Sequence, residues 1–144
     1  MKAYARPELL ASTDWLAENL GRPELRVLDV RWRPDGTGRQ AFGLGHVPGA
    51  TYVDWARDLV GEEDQGTLHL LAPPDQVAGV LAHAGVGDGN TVVLYDDSIS
   101  LFASRVWWSL RVYGFEAIRI LDGGLPAWMH ERRELSSATA LPEV

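Results

Sequence analysis

The sequence predicts an α/β fold, with an open and mostly parallel sheet and helices on both faces. Three observations carry that prediction. Short apolar runs of strand length, LRVLDV (25–30), TVVLYD (91–96) and AIRIL (117–121), alternate with longer segments of helical period. The run VVLY is apolar at every position, the pattern of a strand covered on both sides, as in parallel sheets. The helical segments stop at glycines, Gly21, Gly85 and Gly114, where a left-handed residue ends a helix at least cost. Parallel strands joined through helices imply right-handed crossovers.

In order along the chain, STDWLAENLG (12–21) offers Ser12 or Thr13 as an N-cap and spaces Trp15, Leu16 and Leu20 as one helical face. The strand LRVLDV ends at Asp29 and Val30, and RWRPDGTGRQAFGLG (31–45) reads as a long loop on its Pro and Gly content. HVPGATYVDW (46–55) holds a Pro-Gly turn and a short extended run from Ala50 to Val53, and GEEDQGT (61–67) is a polar solvent loop. LAPPDQVAGVLAHAGV (71–86) starts a helix at its prolines and sets Val77, Val80 and Leu81 on one face. FASRVWWSLRVYG (102–114) is a second, with Ala103, Val106, Trp107, Leu110 and Tyr113 as its stripe and Trp108 on the neighbouring face. GGLPAWMHERR (123–133) is a last helix, with Arg132 and Arg133 at its end, favourable to the dipole. Residues 1–135 form one domain on this reading, and 136–144 a tail or the start of an interdomain linker.

With 144 residues, 46% hydrophobic and 23% charged, the chain is of a size and composition that buries a core. Its net charge of −7 sets a repulsive field against nucleic acid and anionic lipid, and the loose trio Arg31, Arg33 and Arg39 reads as salt-bridged loop rather than an anion site. The longest apolar runs are too short for a bilayer and the start lacks the apolar core of a signal peptide, which places the protein in the cytoplasm, with neither membrane nor nucleic acid as partner. Cysteine is absent, so disulfides, thiolate metal sites and thiol nucleophiles are all excluded.

In open α/β sheets ligands bind at the carboxyl ends of the strands, and Asp96 stands at that edge, followed by Asp97, Ser98, Ile99 and Ser100. A phosphate cradle is disfavoured here, because DDSISLFAS has no glycine to let N–H groups converge and brings two negative charges. A carboxylate nucleophile for phosphoryl transfer is conceivable. It needs a metal and gathered acids, for which Asp29 and Asp122, also at strand ends, are the available residues, although clustered acids of this kind commonly serve as caps or ion-pair partners. No two of the four histidines have a metal-ligand spacing and GxSxG is missing. His46 is expected to fix its loop through a backbone hydrogen bond, while His69, His83 and His130 lie in exposed segments.

Three motifs in order, LRVLDVRW (25–32), GHVPGATYVDW (45–55) and LDGGLPAWM (121–129), with TVVLYD between the second and third, resemble a rhodanese domain, the sulfurtransferase fold. The resemblance covers residues 12–133. The longer run from Tyr95 to Trp128 is similar to the N-terminal half of two-domain thiosulfate or 3-mercaptopyruvate sulfurtransferases. In that family a cysteine at the start of the loop after the central strand carries sulfur as a persulfide. The matching position is Asp96, and oxygen cannot form a persulfide. The loop also departs in length and lacks the family's arginine after the cysteine, since Arg105 falls within the helix.

The resemblance carries over an architecture. Asp29 and Arg31 match an acid and base that brace the loops by ion pairing. His46, Pro48 and Gly49 match the family's turn, and Gly123, Gly124 and Trp128 its closing strand-to-helix junction. No catalytic residue, metal or cofactor is implied for this chain. The implied partner is a second, cysteine-bearing rhodanese domain, in the same chain or another, met by an exposed apolar face including Trp108 or Trp55. The alternative is a stand-alone binding or regulatory module that uses the altered loop to recognise another protein.

Overall fold

The structure, a computed structural model, describes residues 4–137. After a 3₁₀ turn at Pro7–Leu9, the elements run β1 Leu10–Ala11, α1 Thr13–Asn19, β2 Leu25–Asp29, α2 Gly38–Leu44, β3 Thr51–Tyr52, α3 Trp55–Asp58, α4 Pro74–His83, β4 Thr91–Tyr95, α5 Leu101–Val112, β5 Ile118–Leu121 and α6 Gly124–His130. The strands form one parallel five-stranded sheet in the order β1-β5-β4-β2-β3. The expected α/β class and parallel sheet are therefore present.

Alternation along the central strands divides the core in two. Leu28, Val30, Val92 and Leu94 face α3, α4 and α5, with Val77, Val106 and Leu110 packed on them. Val27, Val93, Tyr95 and Leu121 face the other way, against Leu16, Phe42, Leu125 and Trp128 from α1, α2 and α6. Both faces of β4 are thus covered, which is why its sequence is apolar at every position from Val92 to Tyr95.

Local signals account for most helix limits. Ser12 caps α1, its hydroxyl accepting the Trp15 N–H at 3.0 Å. Positive φ at Gly21, Gly85 and Gly114 closes the ends of α1, α4 and α5.

Three expectations are corrected. The stretch 31–45 is not all loop: Gly38–Leu44 is helical, because burial of Phe42 outweighs two glycines of low helix propensity. The last helix stops at His130, and Arg133 turns back to pair with Glu131 and Asp14 rather than lying on the helix end. Trp55 is 8% exposed, so it belongs to the core and not to an outer apolar face. The first residue of the anticipated tail, Ser136, exchanges both backbone hydrogen bonds with His46, at 2.8 and 2.9 Å. Residues 138–144 of that tail lie outside the described residues. Among the described residues no helix is long and apolar enough to cross a membrane.

Candidate functional site

Asp29 and Tyr95 are paired in register at the carboxyl ends of β2 and β4, and Asp96 follows directly. Asp29, Arg31, His46 and Asp96 are all buried there. Charged groups in such a place must find partners or lose several kcal/mol, on the order of the usual penalty for a buried ion.

Asp96 finds its partners in the loop it begins. Its Oδ1 accepts the N–H groups of Ser98 and Ser100 at 2.8 and 3.0 Å, and its Oδ2 those of Phe102 and Ala103, both at 2.8 Å. A carboxylate has about four lone-pair positions, and here each is taken by a backbone donor. The negative charge also lies at the N-terminus of the twelve-residue α5, where the helix dipole favours it. The N–H groups therefore do converge, contrary to the expectation from the missing glycines. Ile99 and Ser100 adopt left-handed φ values of 54° and 63° and supply the curvature that glycine usually provides.

From the other side, the main-chain oxygen of Asp96 accepts the Leu125 N–H at 2.9 Å. Gly123 and Gly124, with φ of 79° and 60°, make that approach possible, since a Cβ on Gly124 would stand 2.8 Å from this oxygen. Trp128 fixes the far end of the junction by donating its indole N–H to the Glu134 carbonyl at 2.8 Å.

Asp97 leaves the cradle and takes a two-pronged ion pair with Arg33, at 3.0 and 2.5 Å. Burial pushes its carboxyl up, but the Arg33 guanidinium outweighs this and holds it below the usual carboxylate range. Asp29 and Arg31 form a second, buried pair, with Arg31 donating from Nε at 3.0 and 3.1 Å and from an Nη at 2.7 Å. That Nη also reaches the Gly45 carbonyl at 2.8 Å, which ties α2 to the strand end. The Tyr95 hydroxyl accepts the Val47 N–H at 3.1 Å, and burial together with Asp29 pushes this phenol far up.

The turn residues Pro48 and Gly49 follow, Gly49 with φ of 82°. His46 Nδ1 lies 2.8 Å from the Phe42 carbonyl and its ring stacks on Phe42 at 3.8 Å, the loop-fixing contact expected of it.

The structure thus brings together Asp29, Arg31, His46, Asp96, Asp97 and the Gly123–Gly124 junction. It does not bring Asp122 in, because that carboxylate is exposed and accepts the Tyr4 hydroxyl at 3.0 Å. No group of three or more His, Asp or Glu among the described residues is placed to hold a metal ion. Arg105 lies in α5, as the spacing implied, and bonds the His69 carbonyl at 2.6 Å rather than the loop. Sequence reasoning missed the aromatic cluster beside the loop, in which Trp32, Trp55 and Phe102 meet with ring centroids 5.6 to 5.8 Å apart. Nothing in their spacing groups them, since they follow three different strands.

Against known families, residues 12–131 match the Rhodanese-like domain. Among curated relatives, the chain is 33% identical over 135 residues to 3-mercaptopyruvate sulfurtransferase of Escherichia coli, covering 90% of this chain and 47% of that protein. It is 33% identical over 136 residues to thiosulfate/3-mercaptopyruvate sulfurtransferase 1 of Arabidopsis thaliana, covering 92% of this chain and 35% of that protein. The sulfur carrier protein TtuD of Thermus thermophilus is 32% identical over 134 residues, covering 93% and 44% respectively. The crystal structure of SseA from Escherichia coli superposes with a TM-score of 0.81 at 32% identity, covering 94% of this chain and 53% of that one. The chain spans less than half the length of these three curated relatives. On its sheet and these matches, the chain belongs to the rhodanese-like domain family.

Proposed function

We propose that this chain is the cysteine-free, catalytically silent N-terminal domain of a sulfurtransferase that takes sulfur from thiosulfate or 3-mercaptopyruvate, and that it works beside a cysteine-bearing rhodanese domain. The observation that carries the reading is Asp96. It stands where the family resemblance puts the sulfur-carrying cysteine, and all four of its lone-pair positions are engaged by N–H donors. A nucleophile or base needs a lone pair to offer, and this carboxylate has none. The chain holds no cysteine to substitute for it. The span of the relatives supports the second half of the reading, since more than half of each lies beyond the match.

The test is the intact mass of the protein from its own cells, paired with an assay of thiocyanate formation from thiosulfate and cyanide. The expected result is a mass about twice the 15.8 kDa of this chain, as two domains of ordinary size give, with turnover by the whole protein and none by residues 1–144. A mass matching this chain would overturn the reading in favour of a single-domain binding module. Turnover by residues 1–144 alone would overturn the claim of silence.

A further inference from the structure

A cavity of about 290 Å³ lies between α4 and the end of α5, a volume at the lower end of ordinary small-ligand pockets. Asp88, on its rim, precedes β4 while Asp96 follows it, so the length of the strand separates this cavity from the loop described above. Along α4, Pro74, Val77, Ala78 and Leu81 recur at i, i+3, i+4 and i+7 and form one apolar wall. Leu110, Tyr113 and Phe115 form the other. Asp88 is the one charged residue of the lining and takes part in no ion pair among the described residues.

The walls are fixed before anything binds. Both helices end in the same cap, with positive φ at Gly85 and Gly114. The Val86 N–H bonds the Leu81 carbonyl at 2.8 Å, and the Phe115 N–H bonds the Leu110 carbonyl at 3.0 Å. The Tyr113 hydroxyl donates to the Ala72 carbonyl. Rings held in this way have little freedom left to lose to a ligand.

Three features give the cavity a single electrical sign. Asp88 brings a full negative charge. The last turns of α4 and α5, which carry Leu81 and Leu110, bring the negative ends of two helix dipoles. The rings of Tyr113 and Phe115 add the negative faces of their π-systems. The basic residues of those last turns are engaged away from the cavity: Arg111 lies over the Trp107 ring at 4.9 Å, and His83 lines a separate groove against β3. An anionic ligand is repelled here, and a neutral one leaves Asp88 unused.

We propose that this cavity binds a small organic amine, its ammonium group paired with Asp88 and its apolar body between α4 and the two rings. Such binding is independent of the sulfur chemistry proposed above, and its failure would leave that reading untouched.

An NMR titration of the whole protein with phenethylammonium chloride, following the relaxation of the ligand's own signals, tests it. Phenethyl alcohol and hydrocinnamate serve as neutral and anionic bodies of like shape. The amine should bind with a Kd on the order of 1 mM, as suits a ligand of its size. It should bind about ten-fold more tightly than the alcohol, with the acid weaker still. Asp88→Asn should weaken the amine by about three-fold or more and leave the alcohol unchanged. Glu18→Gln removes an exposed acid of α1, across the sheet from α4, and should leave every affinity as it was. Equal affinity for amine and alcohol would reduce the site to an apolar crevice and overturn the proposal. So would the absence of saturable broadening by the amine, or an amine affinity that Asp88→Asn does not change. A loss in Glu18→Gln equal to that in Asp88→Asn would also overturn it, as the mark of diffuse attraction to a protein of net charge −7.

Discussion

The main-chain oxygen of Asp96 and the N–H of Leu125 are joined at 2.9 Å, so the end of β4 and the start of α6 are held by one backbone hydrogen bond across Gly124. Gly124→Ala would place a methyl group 2.8 Å from that oxygen in a left-handed conformation. Urea unfolding should show a loss of roughly 2–4 kcal/mol, the sum of backbone strain and a forced separation. A loss below about 0.5 kcal/mol, the level of an ordinary surface substitution, would mean that this contact does not hold the junction.

Asp96→Ala removes the acceptor for four N–H groups at once. The expected cost is about 2–4 kcal/mol, since hydrogen bonds to charged groups are individually worth about 1.5–3 and some donors regain water. Asp96→Asn should cost nearly as much despite its shape, because its amide nitrogen cannot accept from two of the four donors. Thermal midpoints recorded in added formate should recover in Asp96→Ala and stay unchanged in the parent protein. Equal responses of the two would show that the cradle does not select a carboxylate.

Arg31→Met leaves the fully buried Asp29 carboxylate without its cation. Breaking a buried pair from one side costs about 3–5 kcal/mol. Arg31→Lys should recover only part of this, because an ammonium lacks the planar fork with which the guanidinium bonds both carboxylate oxygens and the Gly45 carbonyl. Full stability in Arg31→Lys, measured by urea midpoint, would show that charge alone suffices there.

The Asp97–Arg33 pair should make the acid limb of stability steeper. The folded-state pKa of Asp97 is held below the unfolded value, so its contribution is complete above the unfolded pKa of about 3.9 and is lost as pH falls through the folded value. Both side chains are partly exposed, which limits the effect to under about 1 kcal/mol. Urea midpoints from pH 5 to pH 2 should fall more steeply in the parent than in Arg33→Gln. Parallel curves would assign the acid limb to other carboxylates.

Much of this was legible in the sequence, for reasons the structure displays. VVLY read as a central strand because both of its faces are covered, and Gly21, Gly85 and Gly114 marked helix ends because each adopts positive φ. The Asp29–Arg31 pair followed from the resemblance. What escaped notice depends on tertiary contact. Helix α2 carries Gly38 and Gly43, and is held by Phe42 in the core and by Arg31 reaching Gly45. The sequence alone sets Trp55 on an outer apolar face, wrongly, since α3 is a single turn whose facing is set by Trp32 and Phe102. The cradle around Asp96 was hidden because residues other than glycine form its curve, a conformation that the carboxylate itself holds in place.

That mutual dependence bears on how such a domain can change over generations. Ile99 and Ser100 keep their unfavourable backbone angles only while the Asp96 carboxylate bridges the donors on either side of them. A single sulfur atom cannot span both pairs of N–H groups as two oxygens do. Placing cysteine at position 96 would therefore put a thiol in a loop shaped for a carboxylate, and the loop would relax instead of presenting a thiolate. Loop and occupant are contingent on one another, so turning this loop into a working sulfur carrier would take several coordinated replacements.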